Sequence, residues 1–316
     1  MAGVTLRVVI QYRIERLKVM QLMKMQIMLF LASCALACLA VVPAFGQYST
    51  VSLGTRFTVV SGVNDAGEIV GTQNNIGTFD DAGFRISANS LPLLVGIFLT
   101  QTGSTSVDAN GVNNAGKIVG LYTDTFGQHG YLKKNETYIT INYPGAVFTV
   151  ATGVNDSDTV VGYYFEGGTY HGFQDVGGTL TTIDEPGATF TQIFGINNAG
   201  QISGSYSGGD CKIVICGFVY EGGKFTRIVA TSSIATSVYG ISNTGVVVGS
   251  YQTSGGVGHG FEESGGVFIN VDVPGADAGT TTVMAANRAG ALVGYYSKTI
   301  PGTLGGSILL GFVKKP

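Results

Sequence analysis

The sequence predicts an all-β protein: a six-bladed β-propeller of four-stranded blades, closed by the N-terminal strand joining the last blade. Three observations predict it. One phrase recurs six times at steps of 49, 42, 42, 45 and 45 residues, and a fixed period of this length marks a repeat architecture. Each period holds four short β-favouring runs separated by turn residues, which is the content of a propeller blade. The composition fits: 45% of the residues are hydrophobic, 12% are charged and 49 of 316 are glycine. That is enough apolar material for a core and too little charge for a long-helix protein.

The elements follow in chain order. Residues 1–24 carry Arg7, Arg13, Arg16, Lys18 and Lys24 against Glu15, and residues 25–46 then run without charge to the small residues around Ala44 and Gly46. A basic stretch, an apolar stretch and small residues read as a signal peptide, so residues 1–46 are set apart from a propeller domain at 47–316. Cleavage after Ala44 or Gly46 fits the pattern. Leu31-Ala32-Ser33-Cys34 resembles a lipoprotein box that would lipidate Cys34, although the chain stays apolar for about ten residues beyond it. A retained anchor is the other alternative, since the run approaches the ~20 residues of a spanning helix. Loss of the leader would leave 12 basic and 19 acidic residues, a net charge of −7. An acidic surface repels phosphate backbones, which disfavours nucleic acid as a partner.

The six phrases are GVNDAGEIVG from Gly62, GVNNAGKIVG from Gly111, GVNDSDTVVG from Gly153, GINNAGQISG from Gly195, GISNTGVVVG from Gly240 and AANRAGALVG from Ala285. A β-branched and aromatic run precedes each, such as Val147-Phe148-Thr149-Val150, and reads as the first strand. The Asn-Asx-Ala-Gly segment is a tight turn, because Asn and Asp bond their own backbone and Gly accepts φ > 0. The Ile-Val-Gly run is the second strand. A Gly-aromatic pair opens the third, at Phe84, Tyr131, Phe173, Phe218, Phe261 and Phe312. Gly177-Gly178, Gly222-Gly223 and Gly265-Gly266 suit two-residue hairpins, and a Thr/Ile run is the fourth strand. A Pro-Gly-Ala corner follows at Pro144, Pro186 and Pro274.

The ends are complementary. Repeat six stops at Phe312-Val313-Lys314 without a fourth strand, while YSTVSLGTRFTVVSGVN at the start resembles the fourth strand and lead-in TTIDEPGATFTQIFGIN. Joining them would leave no open sheet edge between first and last repeat. The alternation of G-[VI]-N-x-x-G-x-[IV]-[VS]-G with H-G-[FY] resembles the bacterial HAF-type extracellular repeats over about residues 50–313. The resemblance implies export and a repeated β architecture. The chain departs from it in having Gly after each His, and Cys216 in place of the His in repeat four.

Several columns are candidates for chemistry. Tyr122, Tyr164, Tyr206, Tyr251 and Tyr296 each follow the second-strand Gly by two residues. Tyrosine offers a flat face and a hydroxyl suited to sugars, although one aromatic per blade is also what packing between neighbouring blades calls for. His129, His171 and His259 precede Gly-aromatic, but Ala82, Cys216 and Leu310 share their column, so packing with local hydrogen bonds is the expected role and no metal site is expected. The Asx columns, Asn64, Asn113, Asn155, Asn197, Ser242, Asn287 and their successors Asp65, Asn114, Asp156, Asn198, Asn243, Arg288, are expected to cap their own turns; mixed charge in one column suits no cation ring. Asp184 and Glu185 are strand neighbours that point to opposite faces. Cys211 and Cys216 are expected to form a disulfide, as cysteines of exported chains do. No G-x-S-x-G, H-E-x-x-H, phosphate loop or dinucleotide fingerprint occurs, so no catalytic residue and no cofactor is assigned.

The expected function is an exported binding or cell-envelope interaction module, extracellular or periplasmic and monomeric. Its candidate partner is an extracellular glycan or envelope component, with no membrane contact beyond the leader. An enzyme acting on extracellular polysaccharide would instead need acids or a metal converging at the ring centre. A structural or adhesive spacer would present a smooth face.

Overall fold

The computed structural model describes residues 48–53, 57–74, 81–87, 97–300 and 306–316. The leader expected at 1–46, with Cys34, lies outside them. The described residues form 24 strands. β1 (Tyr48–Val51) stands apart from its sequence neighbours. An eight-stranded sheet follows, made of β2 (Phe57–Val63), β3 (Glu68–Asn74), β4 (Asp81–Ser87), β5 (Ile97–Phe98), β6 (Ser106–Val112), β7 (Ile118–Asp124), β8 (Gly127–Lys134) and β9 (Thr137–Ile141). Then come three four-stranded sheets: β10 (Phe148–Val154) to β13 (Thr179–Thr182) with β11 (Val160–Glu166) and β12 (Thr169–Val176) between; β14 (Ala188–Ile196), β15 (Ile202–Gly208), β16 (Cys216–Glu221) and β17 (Lys224–Ile228); and β18 (Ser233–Ile241), β19 (Val247–Thr253), β20 (Gly258–Ser264) and β21 (Val267–Val271). The fourth four-stranded sheet has the order β1-β24-β23-β22, from β22 (Thr282–Ala286), β23 (Leu292–Thr299) and β24 (Ser307–Lys314).

The chain is an all-β protein with a propeller arrangement. Within each repeat, sequential strands pair antiparallel, as short turns require. The eight-stranded sheet holds the first two repeats, joined by a single parallel pairing, Ala82↔Val107. β1 pairs antiparallel with β24 in the register Tyr48↔Lys314 to Val51↔Gly311. The hairpin expected at Gly177-Gly178 is formed, with φ of 60° and 90° at the two glycines.

The sheets pack face to face, because alternate residues of each strand turn toward one neighbour. One core cluster joins Val161 of repeat three to Ile193, Ile202, Tyr206 and Phe218 of repeat four. Another joins Val60, Ile69 and Phe84 of repeat one to Val293 and Val313 of repeat six, with Val51 of β1. The aromatic residue of every Gly-aromatic pair is fully buried.

Each first strand carries a register shift just before its phrase, as at Ala151/Gly153 and Ile193/Gly195. The bulged residues are Ser61, Asn110, Thr152, Phe194, Tyr239 and Met284, and together with the following Gly column they line a narrow axial cavity of about 80 Å³. A Cβ on Gly153 would stand 3.2 Å from the Gly195 Cα, and one on Gly195 would stand 3.2 Å from the Gly240 Cα. The first strands thus meet backbone to backbone, which explains the glycine that opens five of the six phrases.

Candidate functional site

The turn asparagines do two things. Asn113 Oδ1 accepts from Ala115 N (3.1 Å) and Lys117 N (2.9 Å), capping its own turn as expected. Its Nδ2 also donates to the Asn155 carbonyl in the next repeat (3.0 Å). The same relay runs from Asn64 to the Asn113 carbonyl (3.0 Å), Asn155 to Asn197 (3.4 Å), Asn197 to Ser242 (3.1 Å) and Asn287 to Asn64 (3.2 Å). Ser242 caps its turn but has no amide to continue the relay.

The next column forms a second, outer ring. Asp65 N donates to Asn114 Oδ1 (2.8 Å), Asn114 N to Asp156 Oδ1 (2.9 Å), and Arg288 N to Asp65 Oδ1 (2.8 Å). Asn243 Nδ2 of repeat five donates to Asp65 of repeat one at the cavity mouth (2.9 Å), bypassing repeat six. Desolvation raises the Asp65 pKa, but the Arg288 N–H and the Asn243 and Asn114 amides outweigh it and hold the carboxyl below its ordinary value. The carboxylates are therefore engaged by neighbouring amides, and among the described residues no group of three or more His, Cys, Asp or Glu is placed to hold a metal ion.

The histidines are paired locally. His129, His171 and His259 place Nδ1 at 2.9, 2.7 and 2.9 Å from Asn142, Asp184 and Asp272. Each ring lies 5.1–5.3 Å from the tyrosine of its own repeat. Asp184 is occupied by His171 and by Gly172 N (3.0 Å), while Glu185 feels burial and then Asp210, which raise its pKa. The two acids serve different neighbours.

The tyrosine column is mostly interior. Tyr122, Tyr164, Tyr206 and Tyr296 are buried, and Tyr251 is half-buried. Their hydroxyls meet Thr140 (2.9 Å), Thr182 (2.8 Å), Asp210, Thr50 (3.1 Å) and Asn270 (2.9 Å) respectively. Burial pushes the Tyr164 phenol up to about 12. Four of the five thus present no open face to a ligand. Cys211 and Cys216 form the expected disulfide, with Cα atoms 5.7 Å apart. Cys216 sits in the histidine column, and the loop it ties supplies the Asp210 that receives the Tyr206 hydroxyl.

What sequence reasoning missed is a cleft of about 220 Å³ between repeats five and six. Its walls include Ser237, Ser250, Gln252, Thr281 and Thr282, with Gly258, His259 and Gly279 at one end; no Lys, Arg, Asp or Glu takes part. Ser250 and Gln252 share a strand face with Val248, which packs in one cluster with Val283 and Leu292 of repeat six. Tyr251 points the other way, onto His259 (5.3 Å) and Phe261 (6.3 Å), so it borders the cleft from behind. Elsewhere, Asp108 in the first strand of repeat two is pushed up to about 7 by burial and then by Asp81, against a hydrogen bond from Thr72.

No protein-family model matches the chain, and no curated protein matches it either. Among solved structures, TolB from Acinetobacter baumannii superposes with a TM-score of 0.55 at 11% identity over 80% of this chain. The chain spans 64% of the length of that protein. AofleA from Arthrobotrys oligospora gives 0.49 at 11% identity, covering 82% of this chain and 83% of its own. A fucose-specific lectin from Aleuria aurantia gives 0.47 at 11% identity, covering 82% and 97%. At 11% identity the likeness to TolB is one of fold.

Proposed function

We propose that this chain is an exported, six-bladed β-propeller that binds uncharged carbohydrate. The observation that carries the ligand class is the wall of the repeat-five cleft, which offers hydroxyl and amide groups and no fixed charge. Sugars are recognised by such groups beside apolar surface. A charged substrate would be left without a counter-ion there.

Six blades and ring closure are supported by three features. β1 supplies a fourth strand to the sheet of repeat six. Asn287 and Arg288 hydrogen-bond to repeat one as their counterparts in repeats one to four do to the repeat that follows each. One apolar cluster spans the first and last repeats. The single parallel pairing Ala82↔Val107 makes two blades count as one sheet. Export is supported by the charge pattern of the leader and by the Cys211–Cys216 disulfide, together with the resemblance to HAF-type repeats. A glycan array probed with the full chain after leader removal tests the ligand class. Binding to neutral glycans is expected, and an array on which no glycan retains the protein overturns the reading.

A further inference from the structure

The cleft lies where repeat five lacks the aromatic plug that repeat three possesses. In repeat three the register pairs Phe148 with Phe165, Val150 with Tyr163, and Phe165 with Tyr170. Phe148 and Phe165 stack at 5.5 Å, and Tyr170 packs on both, at 6.2 and 5.1 Å, and on Tyr163 at 5.8 Å. At the same register positions repeat five has Ala235 opposite Gln252, Ser237 opposite Ser250, and Gln252 opposite Gly258. Four bulky rings are replaced by a methyl, a hydroxymethyl, an amide and a hydrogen on an equivalent backbone. Repeat four, whose Phe190 and Ser207 occupy the first of these pairs, is sealed differently. Its disulfide-tied loop pairs Ile215 with Ala235, and Val214 N donates to the Ile234 carbonyl (2.9 Å).

We infer that the space vacated by these side chains is a single-ring sugar site, present between repeats five and six and filled by protein between repeats three and four. This rests on the carbohydrate reading above and adds the site, the size and the charge of its occupant. A cleft of about 220 Å³ is below the ~300–1,000 Å³ typical of drug-sized sites, so it admits one pyranose ring at a chain end. Ser237, Ser250 and Gln252 line that space; none is engaged by a charged partner, and the Gln252 amide donates to the Gly256 carbonyl (3.3 Å). Gly258 cannot be part of a filling variant, because a Cβ there would stand 2.6 Å from the Gly279 carbonyl oxygen.

The test uses the full chain after leader removal and a panel of methyl glycosides: neutral hexoses and deoxyhexoses, a hexuronic acid and an aminohexose. Saturation-transfer NMR and calorimetry give affinity and stoichiometry. One neutral glycoside is expected to bind at one site per chain, with the charged sugars weaker by roughly tenfold or more, the ~1.4 kcal/mol of one unpaired group. The double variant Ala235→Phe/Ser250→Tyr restores two of the four rings of the repeat-three plug, those of Phe148 and Tyr163, and is expected to abolish binding while the circular-dichroism melt is unchanged or raised. Ser250→Ala, which leaves the cleft open, is expected to weaken binding without abolishing it and serves where the plugged variant fails to fold. Neutral-sugar binding that survives the plug, or is untouched by Ser250→Ala, overturns this site and leaves the carbohydrate reading standing. Equal binding of the uronic acid overturns the charge assignment. A wild type that binds no glycoside and no arrayed glycan overturns both readings.

Discussion

Replacing Asn113 with alanine removes three hydrogen bonds at once: two from its own turn, to Ala115 N and Lys117 N, and one to the Asn155 carbonyl of the next repeat. A hydrogen bond nets about 0.5–1.5 kcal/mol. Asn113 is only 4% exposed, so water cannot readily replace it. The expected loss is about 2–4 kcal/mol; the Asn155 carbonyl keeps its bond from Asp158 N (3.2 Å), while Ala115 N and Lys117 N lose their side-chain acceptor. Serine separates the two roles. At Ser242 the chain itself shows a serine accepting from Thr244 N (3.3 Å) and Val246 N (3.1 Å) with no link onward. Asn113→Ser should therefore keep the turn, lose the relay and cost about 1 kcal/mol. Urea denaturation followed by circular dichroism reads both values from the midpoint. Equal losses for serine and alanine would mean that the turn bonds contribute nothing. An alanine variant within about 0.5 kcal/mol of wild type, the range of ordinary surface changes, would refute the relay as a stabilising device.

The reverse change, Ser242→Asn, should restore the missing link and raise stability by up to about 1 kcal/mol, read in the same titration. Asp108 makes a pH prediction. Its folded value of about 7 lies above the ordinary 3.8, so the folded state holds a proton that the unfolded state has released, and stability falls as pH rises from about 4 to 7. Asp108→Asn should be flat over that window and more stable than wild type at pH 8, with the difference gone near pH 4; parallel profiles would contradict the assignment. Asp65, held low by its donors, has the opposite sign: its contribution is present above the ordinary carboxylate range and is lost as pH falls through it, a loss that Asp65→Asn should not show. The five-residue separation of Cys211 and Cys216 gives a loop-closure contribution of about 2 kcal/mol. Reduced wild type and Cys211→Ser/Cys216→Ser should therefore unfold at the same lower urea concentration.

The parts of the fold that were legible are those that every repeat does alike. The Asx turn and the Gly-aromatic core each declare themselves within a few residues, so one repeat suffices to read them, as it does for the disulfide of repeat four. The relay did leave a signal. The column is Asn five times and Ser once, never Asp, although Asp would cap a turn equally well. Only an amide can also donate, and the recipient carbonyl lies 42 to 49 residues on in four links and 223 residues back for Asn287. The tyrosines misled more easily, since burial depends on what the neighbouring sheet places opposite. Their interior role is readable only by pairing Tyr122, Tyr164 and Tyr251 with Thr140, Thr182 and Asn270, 18 or 19 residues on. The bulged residues that line the axis were hidden because their identity varies from Ser61 to Phe194.

The cleft was hidden for a related reason: it lies where repeats differ. Columns that agree build the common scaffold, since they recreate the same backbone contacts in each repeat. Columns that disagree are free to set the space between neighbouring sheets. Ala235, Ser237 and Ser250 are unremarked when repeat five is read alone. Set beside Phe148, Val150 and Tyr163, they amount to a removed plug. An opening of that kind would ordinarily cost stability through lost packing. Here the strands on either side remain anchored by Val248, Val271 and Val283 in a separate buried cluster, and by the axial contact of Gly240 with Ala285. The scaffold thus separates what holds neighbouring repeats together from what fills the gap between them. That separation lets a single repeat carry a recess without loosening its packing on the next.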